Sequence, residues 1–143
     1  MAVSENAAAR DELMRSLADV YQLKAFGALA EMLQGESLVL QYLAVHREGP
    51  VFPSVLSEAC RLSRSRITGA LNSLRGKGYL RMESDSRDRR MVRVYITEEG
   101  LARIAGQMQQ VTGYFDKMIA GVGAEDARKL AELIDRCVAV MED

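Results

Sequence analysis

Residues Leu62–Ile96 read LSRSRITGALNSLRGKGYLRMESDSRDRRMVRVYI, and the order of polar, apolar and basic residues in this stretch decides the fold. Ser63 is a good N-cap, and Ile67, Ala70, Leu71 and Leu74 recur at the spacing that gives a helix one apolar face. Ser65, Arg66, Thr68, Gly69 and Asn72 are left facing outward. Gly76 and Gly78 stop this helix, after which Tyr79–Met82 and Val92–Ile96 read as strands around the turn Ser84–Arg90. A polar-faced helix beside an arginine-rich hairpin is what a reader of duplex nucleic acid requires.

Charge is distributed to match. The net charge of -1 argues by itself against a polyanionic partner, but residues 61–93 hold 10 Lys/Arg against 3 Asp/Glu. Residues 1–60 hold 4 against 8, and residues 94–143 hold 5 against 9. A basic island of +7 between flanks of -4 each suits a protein that meets a polyanion with one face and is repelled from it elsewhere, with a solvated charged face that has no partner as the alternative. At 143 residues the chain is long enough for one domain with a real core. It has no membrane-length apolar run, and its start, MAVSENAAARDEL, lacks the layout of a secretory signal, so a cytoplasmic protein is expected. The two cysteines, Cys60 and Cys137, lie far apart and suggest neither a disulfide framework nor a zinc site.

Upstream of the central stretch, residues 1–8 read as frayed. From about Ala9 to Leu33 the pattern is helical, with Leu13, Leu17, Val20 and Tyr21 in one stripe, and Gly35 ends the helix. A second helix over Ser37–His46 is apolar enough for burial on more than one side. Arg47–Pro53 holds both prolines and must be a loop, with a short extended piece at Val51–Phe52 able to pair at a sheet edge. Ser54 is expected to cap a short helix that turns Val55, Leu56, Ala59 and Cys60 inward. Arg61–Leu62 then leads into the helix at Ser63. Two short helices joined by a tight turn match the helix-turn-helix layout, in which the second helix enters the major groove.

Downstream, Thr97 caps a long helix to about Val122, with Leu101, Ile104, Met108, Val111, Phe115, Met118 and Val122 as an apolar seam. Gly106 and Gly113 weaken the seam and suggest a bend or a close approach. A last helix from Ala124 to about Met141 places Ala127, Leu130, Ala131, Ile134, Cys137, Val138 and Met141 on one side. These outer helices are too apolar for a small body to cover. A second copy of the chain is the expected partner, with a helical bundle inside one chain as the alternative.

The chain from about Leu13 to Met141 resembles the MarR family of winged helix-turn-helix transcription regulators. The resemblance rests on LSRSRITGALNSLRGKGYL followed by DSRDRRMVRVYITEEG. These stretches are similar to the family's recognition helix (Ser63–Lys77), terminating glycine (Gly78), wing (Asp85–Arg90) and strand-to-helix junction (Ile96–Gly100). The fold expected is α+β, mainly α: a winged helix-turn-helix with long N- and C-terminal dimerisation helices. Residues 1–143 would form a single domain, with 37–97 as the DNA-binding core and 9–34 and 98–142 as the dimerisation helices. Gly69 and Asn72 depart from the family pattern, which often has a basic or bulky residue and an acidic one at these positions.

Within this layout Arg66 can take guanine, Asn72 adenine, and Ser65 or Thr68 either base or a thymine methyl, each with a phosphate contact as the alternative. Ser63 and Ser65 suit phosphate anchoring at the helix start, and Arg64, Arg75 and Lys77 add charge at its ends. The resemblance implies that Arg90 enters the minor groove with Asp88 holding its guanidinium, while Arg87 and Arg89 flank the groove on phosphates. It also implies a regulator, more often a repressor, that binds a pseudo-palindromic operator as a homodimer and answers to a small aromatic or anionic effector. Tyr21, Phe26, Tyr42, His46, Phe52 and Tyr114 are the candidate effector-lining residues, with plain core packing as the alternative for each.

Rival readings are a winged-helix module that binds protein, and a redox-responsive regulator acting through Cys60, beside Arg61, which would lower its thiol pKa; against the latter, the apolar face of its helix argues for an inert packed cysteine. No cofactor or metal is expected, because the single histidine, His46, has only Glu48 near it in sequence. No nucleophile–base pairing or phosphate loop argues for an enzyme.

Overall fold

The computed structural model describes residues 2–142. Seven helices and one hairpin follow in the order α1 (Ala2–Tyr21), α2 (Lys24–Met32), α3 (Gly35–Val45), α4 (Pro53–Cys60), α5 (Arg64–Gly76), β1 (Leu80–Ser84), β2 (Val92–Ile96), α6 (Glu98–Val122) and α7 (Ala124–Glu142). The fold is mainly helical with one antiparallel strand pair, in the register Leu80↔Ile96 to Ser84↔Val92. Val51 adds a single bridge to Val94, so the proline-flanked loop does pair at the sheet edge.

Helix α3 is the hub. Its Val39, Leu40 and Leu43 meet Leu56 of α4, Ile67, Leu71 and Leu74 of α5, Leu80 and Val94 of the hairpin, and Ile104 of α6 in one core. Burial on more than one side of α3, expected from its composition, follows from this position. The polar exception is Gln107, whose Oε1 accepts the Ser37 hydroxyl at 3.0 Å, so α6 docks on α3 without leaving a buried amide unpaired.

Several local expectations are corrected. The segment read as frayed is helical from Ala2, because Ala, Glu and Arg favour helix even where nothing packs on them. The helix expected over 9–33 is two helices, broken at Gln22–Leu23 by i→i−3 bonds from Gln22 to Asp19 and from Leu23 to Val20. No glycine or proline lies at the break. Packing imposes it: α2 lies along α6 and buries Ala25 and Met32, whereas α1 buries nothing. Ser54 does not cap α4. Phe52 holds the N-cap position without a side-chain bond, and Pro53 opens the helix at a place where its missing N–H costs nothing. Of the α4 residues expected inward, Leu56 is fully buried and Cys60 half-buried, but Val55 and Ala59 are exposed because an eight-residue helix turns only a narrow stripe to the core. Gly106 and Gly113 face open space, so neither marks a close approach within the chain.

The junction of hairpin and α6 is tight. Thr97 caps α6 by accepting the Gly100 N–H, and its hydroxyl donates to the Gly78 carbonyl at 2.6 Å. A Cβ on Gly100 would overlap the Tyr79 carbonyl oxygen and sit 2.8 Å from Ile96 Cγ1. Only glycine fits there.

The buried stripe of α6 runs through Gly100, Ile104, Gln107 and Val111, not through the whole expected seam; Met108, Met118 and Val122 remain exposed. In α7 no residue is buried, and its main contacts are with α6. A bundle closed within one chain is therefore not what forms.

Candidate nucleic-acid interface

Helix α5 forms as its sequence directs. Ser63 Oγ accepts the Arg66 N–H at 3.2 Å, satisfying one of the free donors of the first turn. At the far end Gly78, at φ 80°, donates to the Arg75 carbonyl, and Tyr79 donates to Leu74 at 3.0 Å. That double closure places glycine where a side chain would be strained, and it aims the chain straight into β1. Before the helix, Arg61 takes a left-handed φ of 53°, held by reciprocal bonds between Ser57 and Leu62.

Burying Ile67, Leu71 and Leu74 turns Arg64, Ser65, Arg66, Thr68, Gly69 and Asn72 to solvent. These side chains are not equally free. Thr68 Oγ1 donates to the Arg64 carbonyl at 2.9 Å, which leaves its methyl and lone pairs outward. Arg75 Nη2 donates to Asn72 Oδ1 at 3.1 Å, which leaves the amide nitrogen of Asn72 available. Lys77 Nζ lies 2.9 Å from Glu36 Oε2 at the start of α3, so part of its charge is neutralised inside the protein. Partial burial pushes the Glu36 carboxyl pKa up, but hydrogen bonds from Ser73 and Lys77 and the charges of Lys77 and Arg103 outweigh this and hold it below the usual range.

In the wing, Arg90 donates to Asp88 Oδ1 through both its backbone N–H (3.1 Å) and its Nε (3.3 Å), the pairing the resemblance implies. Arg87, Arg89 and Arg90 are exposed or nearly so, and the Arg90 side chain is 92% exposed. Helix and wing converge: a cleft of about 390 Å³ is lined by Phe52, Pro53 and Ser54, by Arg64, Ile67 and Thr68, and by Arg90, Met91 and Val92. One face of the molecule thus carries both the start of α5 and the wing arginine.

Three features were missed from the sequence. Asp85 is buried at the wing tip and pairs with Arg93; an aspartate opening a polar turn is the signal that could have found it. Glu36 holds the end of α5, and Gly100 fixes the wing root; these long-range contacts leave no local trace.

The candidate effector residues do not share one cavity. Tyr42 and His46 stack with ring centroids 4.0 Å apart and line a cleft of about 770 Å³ with Arg47, Glu48, Pro50 and Val51. Tyr21 and Phe26 form a separate tilted pair at the α1–α2 break, Phe52 lines the cleft beside the wing, and Tyr114 lies against the start of α2. The Cys60 thiol pKa is raised by burial, against the lowering expected from Arg61, so the structure gives it no activation. Among the described residues no cluster of metal-ligating side chains occurs, and no helix is long and apolar enough to cross a membrane.

Residues 32–91, from the end of α2 through the wing tip, match the sequence pattern described as MarR family. This segment is similar to the MarR family. Its members are transcription regulators rather than enzymes, and this chain is a winged helix-turn-helix DNA-binding regulator of that kind. Over 124 residues it is 27% identical to an uncharacterized HTH-type transcriptional regulator, YdgJ, of Bacillus subtilis, a match covering 82% of this chain and 75% of the relative. The HTH-type transcriptional repressor YetL of the same organism is 25% identical over 114 residues, covering 76% and 66%. The fold superposes on a single-residue mutant of S. aureus MepR bound to an oligodeoxyribonucleotide with a TM-score of 0.64, at 14% identity, over 92% of this chain and 97% of that one. MarR-type architecture thus extends beyond the matched segment to the outer helices.

Proposed function

We propose that the chain acts as a homodimeric, cytoplasmic repressor on a pseudo-palindromic operator, with residues 63–77 in the major groove and 84–92 in the minor groove. The observation that carries this reading is the convergence of Arg64, Thr68 and Arg90 on one cleft, with the exposed faces of α5 and the wing beside it. Arg66, Asn72, Ser65 and Thr68 would meet bases; Ser63, Arg64, Arg75, Lys77, Arg87 and Arg89 would meet phosphates; Asp88 would aim Arg90. The similarity to a named repressor and to a structure solved with an oligodeoxyribonucleotide supports the direction of control and the ligand class.

A two-fold partner is supported by the outer helices. Leu13, Met14 and Leu17 on α1 and Leu130, Leu133, Ile134 and Val138 on α7 are 45–63% exposed in one chain, an apolar surface that a second copy would cover. The effector reading narrows to the Tyr42–His46 cleft, where an aromatic pair beside Arg47 suits a small aromatic anion.

The test is selection of bound duplexes from genomic fragments, followed by titration across salt concentrations, with the oligomeric state read by light scattering. Affinity for the selected duplex should fall steeply with salt, in proportion to the phosphates neutralised. A monomer at micromolar concentration, or indifference to duplex in dilute buffer, overturns the reading. Melting shifts with phenolic acids test the cleft, and their absence removes the effector from it.

A further inference from the structure

The wing tip is organised by a residue pair that the arginines directed at DNA do not include. The strand pairing ends at Ser84↔Val92, so residues 85–91 have no ladder to hold them. Asp85 takes its place. Its side chain is 8% exposed; Oδ2 accepts the backbone N–H groups of Arg87 (3.1 Å) and Asp88 (2.9 Å), and Oδ1 accepts Arg93 Nε at 2.5 Å. Arg93 reaches on through Nη2 to Ser86 Oγ at 3.5 Å. The Asp85 N–H donates to Met91, and that of Met91 donates to Asp88, closing the loop.

A line of dependence follows. Arg93 on β2 fixes the Asp85 carboxylate, which fixes the backbone of Asp88, whose own carboxylate holds both the N–H and the Nε of Arg90. Arg90 itself is almost wholly in solvent, and Asp88 is its one ion-pair partner among the described residues. An exposed arginine loses much of its rotamer freedom on entering a groove, and a loop already in the accepting shape reduces that loss.

The geometry points to Asp85 and Arg93 as a positioning pair for Arg90: neither meets DNA, and both strengthen operator binding by holding the wing in the shape the minor groove accepts. Arg93 does not act as a phosphate contact, because its guanidinium is turned onto a carboxylate and its side chain is only 29% exposed. The inference rests on the DNA-binding reading above.

Sign separates positioning from simple charge. Asp85→Asn removes a negative charge from a loop facing a polyanion, so electrostatics alone strengthens binding. Arg93→Leu removes a positive charge, so electrostatics alone weakens it. Positioning weakens both. Asp85→Asn is also mild, because an amide oxygen can still accept the Arg87 and Asp88 N–H groups while the ion pair is lost.

The experiment titrates a selected duplex with wild type, Asp85→Asn, Arg93→Leu and Arg93→Lys over a range of salt. Asp85→Asn and Arg93→Leu should each bind about tenfold more weakly, the scale of one lost hydrogen bond to a charged group, with Arg93→Lys between them and wild type. The slope of log affinity against log salt should stay as in wild type, whereas a lost phosphate contact lowers it by about 1. Without DNA, hydrogen exchange at the Arg87 and Asp88 amides should quicken in both variants while the thermal transition of the body holds.

Equal or tighter binding by Asp85→Asn, a slope lowered by about 1 in Arg93→Leu, or unchanged amide exchange overturns the inference while leaving the DNA-binding reading in place. A wild type that binds no duplex removes both.

Discussion

Helices α3 and α7 are both rich in apolar residues, yet α3 holds Val39, Leu40 and Leu43 at 3% exposure or less while α7 leaves Leu130, Leu133, Ile134 and Val138 at 45–55%. Both carry apolar residues at helical spacing; what differs is whether the partner surface lies in the same chain. Helix α3 is surrounded by α4, α5, α6 and the hairpin, whereas α7 packs chiefly on α6. The first is therefore a determinant of folding. The second is an amphipathic surface whose apolar side is exposed in the chain and would be covered in the proposed dimer, and mutations in the two should report on different equilibria.

The largest effect that would break this contrast lies at Gly100. Gly100→Ala drives a methyl into the Tyr79 backbone and should cost about 3 kcal/mol or more, read as a lower urea midpoint. Leu43→Ala, in the centre of the core, should cost about 2–5 kcal/mol in the same measurement. Leu130→Asp with Ile134→Asp should instead leave the folded body's spectrum intact and shift light scattering to the monomer, with operator affinity lost alongside. If that double variant unfolds the body, α7 belongs to the folding core and the contrast collapses.

Smaller changes sharpen the picture within the body. Arg90→Ala should weaken specific duplex binding by about 1–3 kcal/mol with the oligomeric state unchanged, measured by titration. Ser63→Ala should lower stability by about 1 kcal/mol through the lost cap of α5. The Glu36 carboxyl is held below its usual range in the folded chain, so the stability it contributes is present above the ordinary carboxylate pKa and is lost as pH falls through the lowered value. Glu36→Gln should remove that part of the acid dependence of stability, followed by urea midpoints across pH, while leaving the neutral-pH fold in place.

Much of the body could be read from residue order, because its signals are local. The Ser63 cap, the Ile67–Leu71–Leu74 stripe, the Gly78 stop, the second strand and the Thr97 cap each act within a few residues, and each formed where it was expected. The Asp88–Arg90 pair lies two residues apart and was legible through the family pattern. What escaped was non-local. The break at Gln22–Leu23 is set by docking α2 on α6, the Glu36–Lys77 contact spans 41 positions, and Gly100 matters because of the Tyr79 carbonyl. Arg93 is instructive for another reason: in a strand of alternating residues it reads as one more solvent-facing charge, and only the curl of the tip brings Asp85 beneath it.

The Thr97–Gly100 junction carries a mechanical consequence. With the Thr97 hydroxyl bonded to the Gly78 carbonyl, its N–H to Tyr79, and no room for even a methyl at Gly100, the root of α6 cannot swivel against the end of α5. The long helix and the reading head turn as spokes of one wheel, so in the proposed dimer tilting the axle between the two copies would sweep both heads through an arc and change the span of duplex they can straddle.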